Sequence, residues 1–279
     1  MKAFPKHYLA VVLAAACSSS FADELEEIVV TASPFAKTIE AVNKPVNLLN
    51  GADLQNASAS TLGETLNGQL GVSSASFGPG VGLPIIRGQS DNRVKVMQDS
   101  VGSMDASAAS PDHAVTLEPL LANKIEVLRG PAALRYGSGA IGGVVNVLDN
   151  RIPSELPEAI TGGAELRNAS VNNETVGVAS LNAAAGDFAF HIDGVKRNSD
   201  DMDIPGYAEK SPQDPETASK GFIPNTDAES KSGTLGVSYI SGEDFIGLSV
   251  NTLDNNYGVP PDGDELVRID MHQTRYDLK

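Results

Sequence analysis

The feature that most constrains the fold is an alternation of apolar and polar residues that begins near residue 160. In the segment 187–197, Phe188, Phe190 and Ile192 share one face of an extended chain, whereas the residues between them are small or polar. An amphipathic strand of roughly ten residues can cross a bilayer when it is tilted. The pattern therefore predicts an antiparallel sheet with one apolar face, in a soluble β-sandwich or a transmembrane barrel. The alternating segments are Gly162–Ala169, Glu174–Ala183, Asp187–Arg197, Lys231–Ser241, Asp244–Leu253 and Arg268–Lys279.

The connections between these segments favour the barrel. Ala184–Gly186 and Gly242–Glu243 are short, whereas Asn198–Ser230 and Asp254–Val267 are long and polar. Transmembrane barrels of the outer membrane have short turns at one rim and longer loops at the other. The connection Ser170–Asn173 does not follow the alternation, because it is short where a long loop is expected.

Residues 23–152 have the pattern of a compact α/β unit rather than of a continuous sheet. Leu62, Leu66 and Leu70 recur every four residues, which predicts one face of a helix from about residue 61 to 70. Gly78–Gly82 predicts a loop. Short β-branched or apolar runs predict strands at Val46–Leu49, Pro84–Gly88, Arg93–Met97, Ile125–Leu128 and Val144–Leu148.

The run Gly137–Gly142 reads G-S-G-A-I-G and matches the glycine pattern of dinucleotide-binding loops. Such a loop must leave a strand and open a helix, so that helical N–H groups point at the pyrophosphate. Here Ala132–Tyr136 predicts a helical turn before the glycines, and the β-branched run Val144–Leu148 predicts a strand after them. We therefore interpret the run as a tight turn, with a nucleotide-binding oxidoreductase as a distant alternative. Because we find no catalytic triad or specific carboxylate pair, we predict no enzyme and no cofactor.

The N-terminus has the pattern of an export signal in residues 1–22. Lys2 and Lys6 precede an apolar stretch that is too short to span a bilayer, and Ser20-Phe21-Ala22 is a typical cleavage site. Lipoprotein processing at Cys17 is the alternative, although the leucine usually found three residues earlier is missing. Cleavage after Ala22 removes the single cysteine, so we expect an exported protein without disulfides.

The chain is acidic, with a formal net charge of −16 at pH 7. Nucleic acid is excluded as a partner because phosphate neutralisation needs clustered Lys and Arg. Beyond residue 22, no apolar run is long enough for a membrane-spanning helix, so any crossing of a membrane would use strands.

Several segments, taken in order, resemble motifs of the TonB-dependent outer-membrane receptors. Glu27-Ile28-Val29-Val30-Thr31-Ala32 resembles the TonB box. Further segments resemble the plug motifs of that family, namely Leu83–Gly88, Arg93–Val96, Ile125–Pro131, Tyr136–Gly137 and Gly142–Val147.

The resemblance implies an α/β plug domain followed by antiparallel strands of a transmembrane β-barrel of about 22 strands. It divides the chain into a signal peptide (1–22), a TonB box and periplasmic tether (23–40), a plug domain (41–152) and the first part of the barrel (153–279). It also implies TonB and outer-membrane lipid as partners. The segment Ile28-Val29-Val30 is β-prone and can add to the sheet edge of a partner, although it can also be the first strand of the plug.

Within that family, Ser110-Pro111-Asp112-His113-Ala114 is similar to the zinc-uptake receptors. The resemblance implies that Asp112 and His113 contribute carboxylate and imidazole ligands to a transported Zn²⁺ ion, with other ligands from elsewhere. The alternative is that Asp112 forms a local turn and caps a helix that begins at His113. A receptor for a siderophore, another ferric chelate or another organic ligand is the second interpretation of function.

The sequence also departs from the zinc-type pattern. The loop region 198–267 lacks histidine and carries acidic residues instead, Asp200, Asp201, Asp203, Asp262, Asp264 and Glu265 among them. His191 and His272 lie in predicted strands, where we expect lumen-facing or structural roles. Six strands cannot close around a plug without leaving unpaired edges, so we expect a fragment that does not transport by itself.

Overall fold

The structure is a computed structural model of a chain that forms two compact units, Met1–Asn43 and Lys44–Lys279. In the first unit, strand β1 (Val29–Val30) pairs antiparallel with β2 (Lys37–Thr38). The predicted signal peptide and its cleavage site lie outside the described residues. The structure describes the backbone of those two short strands and residues 46–103, 105–209, 218–262 and 265–279.

The first layer of the second unit, here called the N-terminal layer (residues 46–152), is built on a five-stranded sheet. Its strands are β3 (Val46–Asn50), β6 (Val94–Gln98), β7 (Val101–Gly102), β8 (Lys124–Leu128) and β9 (Gly143–Leu148). They are arranged in the order β3-β8-β9-β6-β7. Strands β6 and β9 are parallel, and the other neighbouring pairs are antiparallel.

Short helices and one hairpin complete this layer. The helices are α1 (Gly51–Ala57), α2 (Leu62–Leu66) and the 3₁₀ turns Asp91–Arg93, Ala106–Ala108, Pro119–Leu121, Gly130–Tyr136 and Ser138–Ala140. Strands β4 (Val72–Ser76) and β5 (Gly82–Ile86) pair antiparallel beside helix α2. Helix α2 begins where the Thr61 hydroxyl accepts a hydrogen bond from the Glu64 N–H, which satisfies one of the unpaired donors of its first turn.

The predicted helix with three leucines on one face is wrong in its second half. Helix α2 buries Leu62 and Leu66, but it ends at Leu66, and Leu70 is 85% exposed. Gly71, which follows Leu70, has φ +71° and turns the chain into β4.

A six-stranded antiparallel sheet follows the N-terminal layer. Its strands are β10 (Thr161–Ala169), β11 (Glu174–Ala185), β12 (Phe188–Ser199), β15 (Ala228–Ser241), β16 (Asp244–Asp262) and β17 (Glu265–Leu278). They are arranged in the order β10-β11-β12-β15-β16-β17. All six predicted segments are strands, which confirms the fold class of an α/β plug-like layer followed by antiparallel strands.

One of the two long loops predicted from sequence, Asp254–Val267, forms β-strands instead. Strands β16 and β17 continue to Asp262 and from Glu265, so Asp254–Val267 is mostly a hairpin that extends the sheet. The sequence predicts a loop at Asp254–Val267 because most of these residues are polar. Neither face of this part of the hairpin carries a long apolar run that would indicate a strand. The other long connection contains a small hairpin, β13 (Met202–Tyr207) and β14 (Lys220–Ile223).

The two faces of the large sheet differ as the alternation predicts. Phe188, Phe190 and Ile192 are 47%, 43% and 46% exposed, whereas Ala189 and His191 between them are 0% and 7% exposed. The covered face is not uniformly polar, because it also carries the buried side chains of Val195, Leu253 and Tyr257.

The apolar core joins the N-terminal layer to the sheet. Ile125, Val127 and Val145 of the central strands are fully buried, and Tyr257 of β16 belongs to the same cluster. Burial of this kind stabilises by about 25 cal/mol per Å² of apolar surface, so the sheet and the layer support each other. Among the described helices, none is long and apolar enough to cross a membrane.

Candidate metal site

The Asp112–His113 pair lies in a turn between the 3₁₀ turns Ala106–Ala108 and Pro119–Leu121. The His113 N–H donates to the Ser110 carbonyl at 3.2 Å, which closes the turn. No helix begins at His113, so the capping alternative is wrong. A helical cap needs following residues with helical backbone, whereas the chain runs from His113 through Ala114 without a helix to Thr116.

The two side chains contact each other. The His113 Nδ1 atom lies 3.0 Å from the Asp112 Oδ1 atom, and both side chains are 35% exposed. The Ser110 hydroxyl donates to the same Asp112 oxygen. This hydroxyl is the main cause that lowers the pKa of the Asp112 carboxyl, with a smaller contribution from His113. The carboxyl is therefore ionised at neutral pH.

One carboxylate clamps both ends of the loop that carries the pair. The Asp105 Oδ1 atom accepts from the Ser107 N–H at 3.0 Å, and its Oδ2 atom accepts from the Thr116 N–H at 3.1 Å. The hydroxyls of Ser107 and Thr116 donate to the same two oxygens. Because four donors converge on Asp105, the ends of the loop between residues 105 and 116 are held together.

The large sheet holds the loop from the other side. The hydroxyl of Tyr257 accepts a hydrogen bond from the Ala114 N–H at 2.8 Å. Tyr257 is fully buried, and its ring packs where Gly80 leaves room, since a Cβ on Gly80 would lie 2.7 Å from the Tyr257 Cβ. The backbone directly after His113 is thus bonded to strand β16.

The donor set of the pair fits a borderline transition metal such as Zn²⁺, which binds imidazole nitrogen and carboxylate oxygen. Two protein ligands do not complete a tetrahedral site. Within the described parts of the chain, no group of three or more His, Cys, Asp or Glu residues is placed to hold a metal ion. The pair alone therefore does not form a complete metal site, and its role as a metal ligand stays a prediction.

The two histidines of the large sheet, His191 and His272, have side-chain partners of their own. His191 is buried on the covered face, with Nδ1 2.7 Å from the Asn182 Oδ1 atom and Nε2 2.8 Å from the Asp193 Oδ2 atom. Both nitrogens are therefore engaged in structure, as expected. His272 lies on the exposed hairpin and contacts Asp254.

One of the acidic loop residues is a structural acceptor. The Asp201 Oδ1 atom accepts from the N–H groups of Thr226 and Asp227 at 2.7 and 3.1 Å. These bonds tie the start of the long connection between β12 and β15 to its end.

The six residues of the predicted TonB box lie mostly outside the described residues. The exceptions are Val29 and Val30, whose backbone pairs with Lys37 and Thr38. These two residues therefore have extended, sheet-forming backbone, as the β-branched residues of the segment predict.

The glycine run contacts its own chain. Gly137 has φ +87° and leads into the 3₁₀ turn Ser138–Ala140, and the Gly142 N–H donates to the Arg93 carbonyl at 2.8 Å. Strand β9 follows directly, so the prediction of a tight turn is confirmed. A Cβ on Gly142 would lie 2.6 Å from the Gln89 Cβ. Close packing therefore explains why a residue without a side chain occupies this position.

An ion cluster between the layer and the sheet was not predicted from sequence. Arg151 is 4% exposed, and its guanidinium donates to Asp149 at 2.6 Å and to Asp277 of β17 at 3.2 Å. Arg151 also lies 3.7 Å from Asp99, and Arg275 of β17 contacts Asp277 at 2.8 Å. Burial, followed by the nearby Asp149 carboxylate, raises the pKa of Asp99 to about 8.

A second buried arginine makes an equivalent connection elsewhere on the sheet. Arg197 of β12 donates to Glu118 of the N-terminal layer and to Glu174 of β11, both at 2.9 Å. Burial raises the pKa of Glu118 against the lowering effect of Arg197. In sequence these arginines and acids are unremarkable charged residues, because only the packing of the layer on the sheet brings them together.

The fold is an α/β layer packed on a six-stranded antiparallel sheet, and known proteins match both parts. Residues 38–144 match the TonB-dependent Receptor Plug Domain. The vitamin B12 transporter BtuB of Photobacterium profundum is 33% identical over 165 residues, which are 57% of this chain and 27% of that protein.

Solved structures share the fold. The copper transporter OprC superposes with a TM-score of 0.62 at 20% identity, over 84% of this chain and 33% of that chain. The FrpB iron transporter of Neisseria meningitidis has a TM-score of 0.62 at 16% identity, over 84% of this chain and 37% of that chain.

Residues 38–144, which include most of the N-terminal layer, therefore correspond to a plug domain of the TonB-dependent receptor type, and the solved structures share the fold of the layer and the sheet. The matched part of this chain spans about a quarter of the length of that vitamin B12 transporter. The relatives are transporters, which agrees with the prediction that the chain is not an enzyme.

Proposed function

We propose that this chain is the plug and the first barrel strands of a TonB-dependent outer-membrane receptor that imports a divalent transition-metal ion, with zinc as the leading substrate. In this proposal the apolar face of the six-stranded sheet contacts outer-membrane lipid, and the plug lies on the covered face. The N-terminus is periplasmic, where Glu27–Ala32 binds TonB.

The observation that carries the metal proposal is the half-buried Asp112–His113 pair on a loop that is bonded at both ends. A carboxylate 3.0 Å from an imidazole, both 35% exposed, is a common arrangement at transition-metal sites. The clamp by Asp105 and the bond from Ala114 to Tyr257 hold the loop in place without any metal ligand.

A receptor for a larger ligand is the second candidate. The curated relative at 33% identity is a vitamin B12 transporter, which supports an organic or organometallic ligand at the same plug. For such a ligand, the Asp112–His113 pair would be a polar contact and not a metal ligand.

Binding to the purified chain in detergent micelles separates the two candidates. We expect Zn²⁺ to bind in calorimetric titration, and the double variant Asp112→Ala/His113→Ala to weaken binding at least 10-fold, because the site loses its protein donors. The matched control is His272→Ala, which removes a histidine that is 69% exposed on the hairpin and leaves Zn²⁺ affinity unchanged. Equal affinity in wild type and the double variant, or binding of a ferric chelate or vitamin B12 without Zn²⁺ binding, would refute the zinc proposal.

The TonB proposal is tested with one backbone change. Strand addition uses main-chain N–H groups, and proline lacks that donor. We expect Val29→Pro to abolish binding of the purified chain to the periplasmic domain of TonB, whereas the β-branched control Val29→Thr retains it. Full binding by the proline variant would contradict strand addition at this segment.

We also propose that these 279 residues do not transport by themselves, because the edge strands β10 and β17 leave backbone groups unpaired in lipid. Recovery of zinc-dependent growth in a receptor-deficient host by this chain alone would contradict that proposal.

A further inference from the structure

A buried carboxylate of the large sheet has one oxygen without a partner. Asp193 of β12 lies on the covered face, and its side chain is 4% exposed. Its Oδ2 atom lies 2.8 Å from the His191 Nε2 atom. Within the described ranges, no hydrogen bond reaches the Asp193 Oδ1 atom, which is shielded from solvent. Because a buried polar atom without a partner costs free energy, this oxygen calls for an occupant beside it.

Asp193 forms part of the wall of a small cavity between the N-terminal layer and the sheet, here called the Asp193 cavity. Its volume is about 20 Å³. A cavity of more than about 10–15 Å³ has room for one water-sized occupant. The wall carries oxygen atoms from both layers, with Ser232, Thr234 and Asn251 on the sheet and Glu118 and Asp149 on the N-terminal layer.

The sheet side chains of the cavity offer oxygen acceptors. The amide nitrogen of Asn251 donates to the Ser232 hydroxyl at 3.1 Å and to the Thr234 hydroxyl at 3.0 Å. Since this nitrogen is engaged on β15, the group that Asn251 can offer to an occupant is its amide oxygen. Each hydroxyl oxygen accepts one of these bonds and keeps a second acceptor position. Such oxygen atoms are ligands of hard cations.

The positive charge that lines the cavity is already paired with other carboxylates. Arg151 donates to Asp149 at 2.6 Å and to Asp277 at 3.2 Å. The ion-pair partner of Asp193 is the His191 imidazole, and no Lys or Arg is paired with Asp193 in the parts of the chain that the structure describes. The cavity therefore has a carboxylate oxygen without a cation beside it.

We propose that the Asp193 cavity binds one sodium ion, held by the Asp193 Oδ1 atom and by side-chain oxygens of Thr234 and Asn251. A divalent ion such as Ca²⁺ takes about 6–8 oxygen ligands, several of them carboxylates. No three His, Cys, Asp or Glu side chains of the described residues come together to hold a metal ion. One carboxylate oxygen among neutral oxygens suits a monovalent ion, whereas a neutral water molecule leaves the charge of the carboxylate uncompensated.

The ion stabilises the contact between the two layers, because the wall of its site combines Asp193 of the sheet with Asp149 of the N-terminal layer. A ligand that binds the folded form and not the unfolded form shifts the equilibrium toward the folded form. The proposal does not rest on the proposed metal uptake, because a resident ion is not the imported substrate and neither Asp112 nor His113 takes part.

The dependence of stability on sodium tests the site in the full chain in detergent micelles. Urea unfolding is followed at constant ionic strength, with sodium chloride replaced stepwise by N-methylglucamine chloride, whose cation is too large for the cavity. We expect the urea midpoint of wild type to rise with the logarithm of the sodium concentration, and Asp193→Asn to lose that rise. Asp270→Asn, at an exposed position of β17, is the matched control and retains it. A wild-type midpoint that does not respond to sodium, or an equal rise in Asp193→Asn, would overturn the proposal.

Sodium-23 NMR of the same micelles measures binding without unfolding, and a second variant keeps the test independent of how Asp193→Asn folds. We expect wild type to broaden the sodium resonance. Thr234→Val removes one oxygen ligand and retains a β-branched side chain, so the apparent sodium affinity should fall at least about 10-fold. Thr252→Val makes the same change on the exposed face of β16 and should leave the affinity unchanged. Equal affinity in wild type and Thr234→Val, or no broadening by wild type, would contradict a sodium ion in this cavity.

Discussion

At the scale of single residues, the buried arginines decide how the plug and the sheet hold together. Arg151 is 4% exposed and contacts carboxylates from both sides, Asp149 in the plug and Asp277 in β17. Paired charges of this kind contribute little net stability compared with an apolar contact, but removal of one partner leaves uncompensated charge in a poorly solvated place.

We therefore expect Arg151→Ala to lower the free energy of unfolding by about 3–5 kcal/mol. Urea unfolding in detergent micelles, followed by circular dichroism, measures this change. Arg268→Ala is the matched control, because the Arg268–Asp227 pair is 40% and 43% exposed and an exposed pair is worth about 0–1 kcal/mol. Equal effects of the two substitutions would contradict the role assigned to Arg151.

The candidate site shows how far single residues can be predicted. The adjacency of Asp112 and His113 is visible in the sequence, and so is the chemistry of the two groups. The contact of Ala114 with Tyr257 spans 143 residues and could not be predicted, because no local pattern encodes which residue of β16 meets the plug.

At the scale of elements, the close approach of backbone to backbone explains a glycine of the sheet. Gly236 of β15 lies directly under the connection between plug and sheet, and a Cβ there would lie 1.7 Å from the Arg151 carbonyl oxygen. The carbonyl oxygen is a backbone atom and cannot move aside as a flexible side chain could. A larger residue at position 236 must therefore displace the connection between plug and sheet. The sequence shows only a glycine within an alternating strand.

We expect Gly236→Ala to destabilise the chain by about 1–3 kcal/mol through overpacking. Gly233→Ala in the same strand is the control, since its Cβ would lie at an ordinary 3.7 Å from the Asp193 carbonyl oxygen. That control should change the unfolding free energy by less than about 0.5 kcal/mol. A stability of Gly236→Ala equal to that of the control would show that the connection is not held against β15.

Strand existence was predictable in both parts of the chain, whereas the ends of elements were not. Alternation identified the six strands because one face of the sheet is covered and the other is exposed. It did not show that β16 and β17 extend to Asp262 and from Glu265, since pairing between two polar segments has no apolar period to reveal it. The early end of helix α2 at Leu66 likewise depends on the backbone of the turn that follows.

At the scale of the whole molecule, the protonation of Asp99 between plug and sheet is expected to change the stability of the chain. Asp99 faces Asp149, Arg151 and Lys279, and Asp277 and Arg275 complete the cluster. Burial and Asp149 raise the pKa of Asp99 from its ordinary value of 3.8 to about 8. The neutral acid is therefore the form that the folded cluster favours.

The sign of the pH effect follows from this shift. In the unfolded chain Asp99 loses its proton near pH 4, whereas in the folded chain it retains the proton up to about pH 8. Its contribution to stability is complete below the unfolded pKa and decreases as the pH rises from about 4 to about 8. We expect the urea midpoint to be lower at about pH 9 than at about pH 5, and Asp99→Asn to remove most of that difference. An unchanged pH dependence in the asparagine variant would assign the effect to other groups.

Local sequence accounts for the periodicities, and with them for the class of fold: a short α/β layer, a tight glycine turn and amphipathic strands with one apolar face. These properties are local, because the spacing of apolar residues and the backbone preferences of Gly and Pro act within a few residues. The sequence also accounts for the closeness of Asp112 and His113, since they are neighbours in the chain.

The way in which the plug is held on the sheet, by contrast, arises only from tertiary structure. Arg151 with Asp277, Arg197 with Glu118, and Ala114 with Tyr257 are separated by 126, 79 and 143 residues. Their pairing results from the packing of two layers around a shared apolar core, and that packing sets the environment of Asp99 and bonds the backbone of Ala114 to strand β16. The physical reason is that burial and distance in space, which control pKa values and hydrogen bonds, are not properties of any short stretch of sequence.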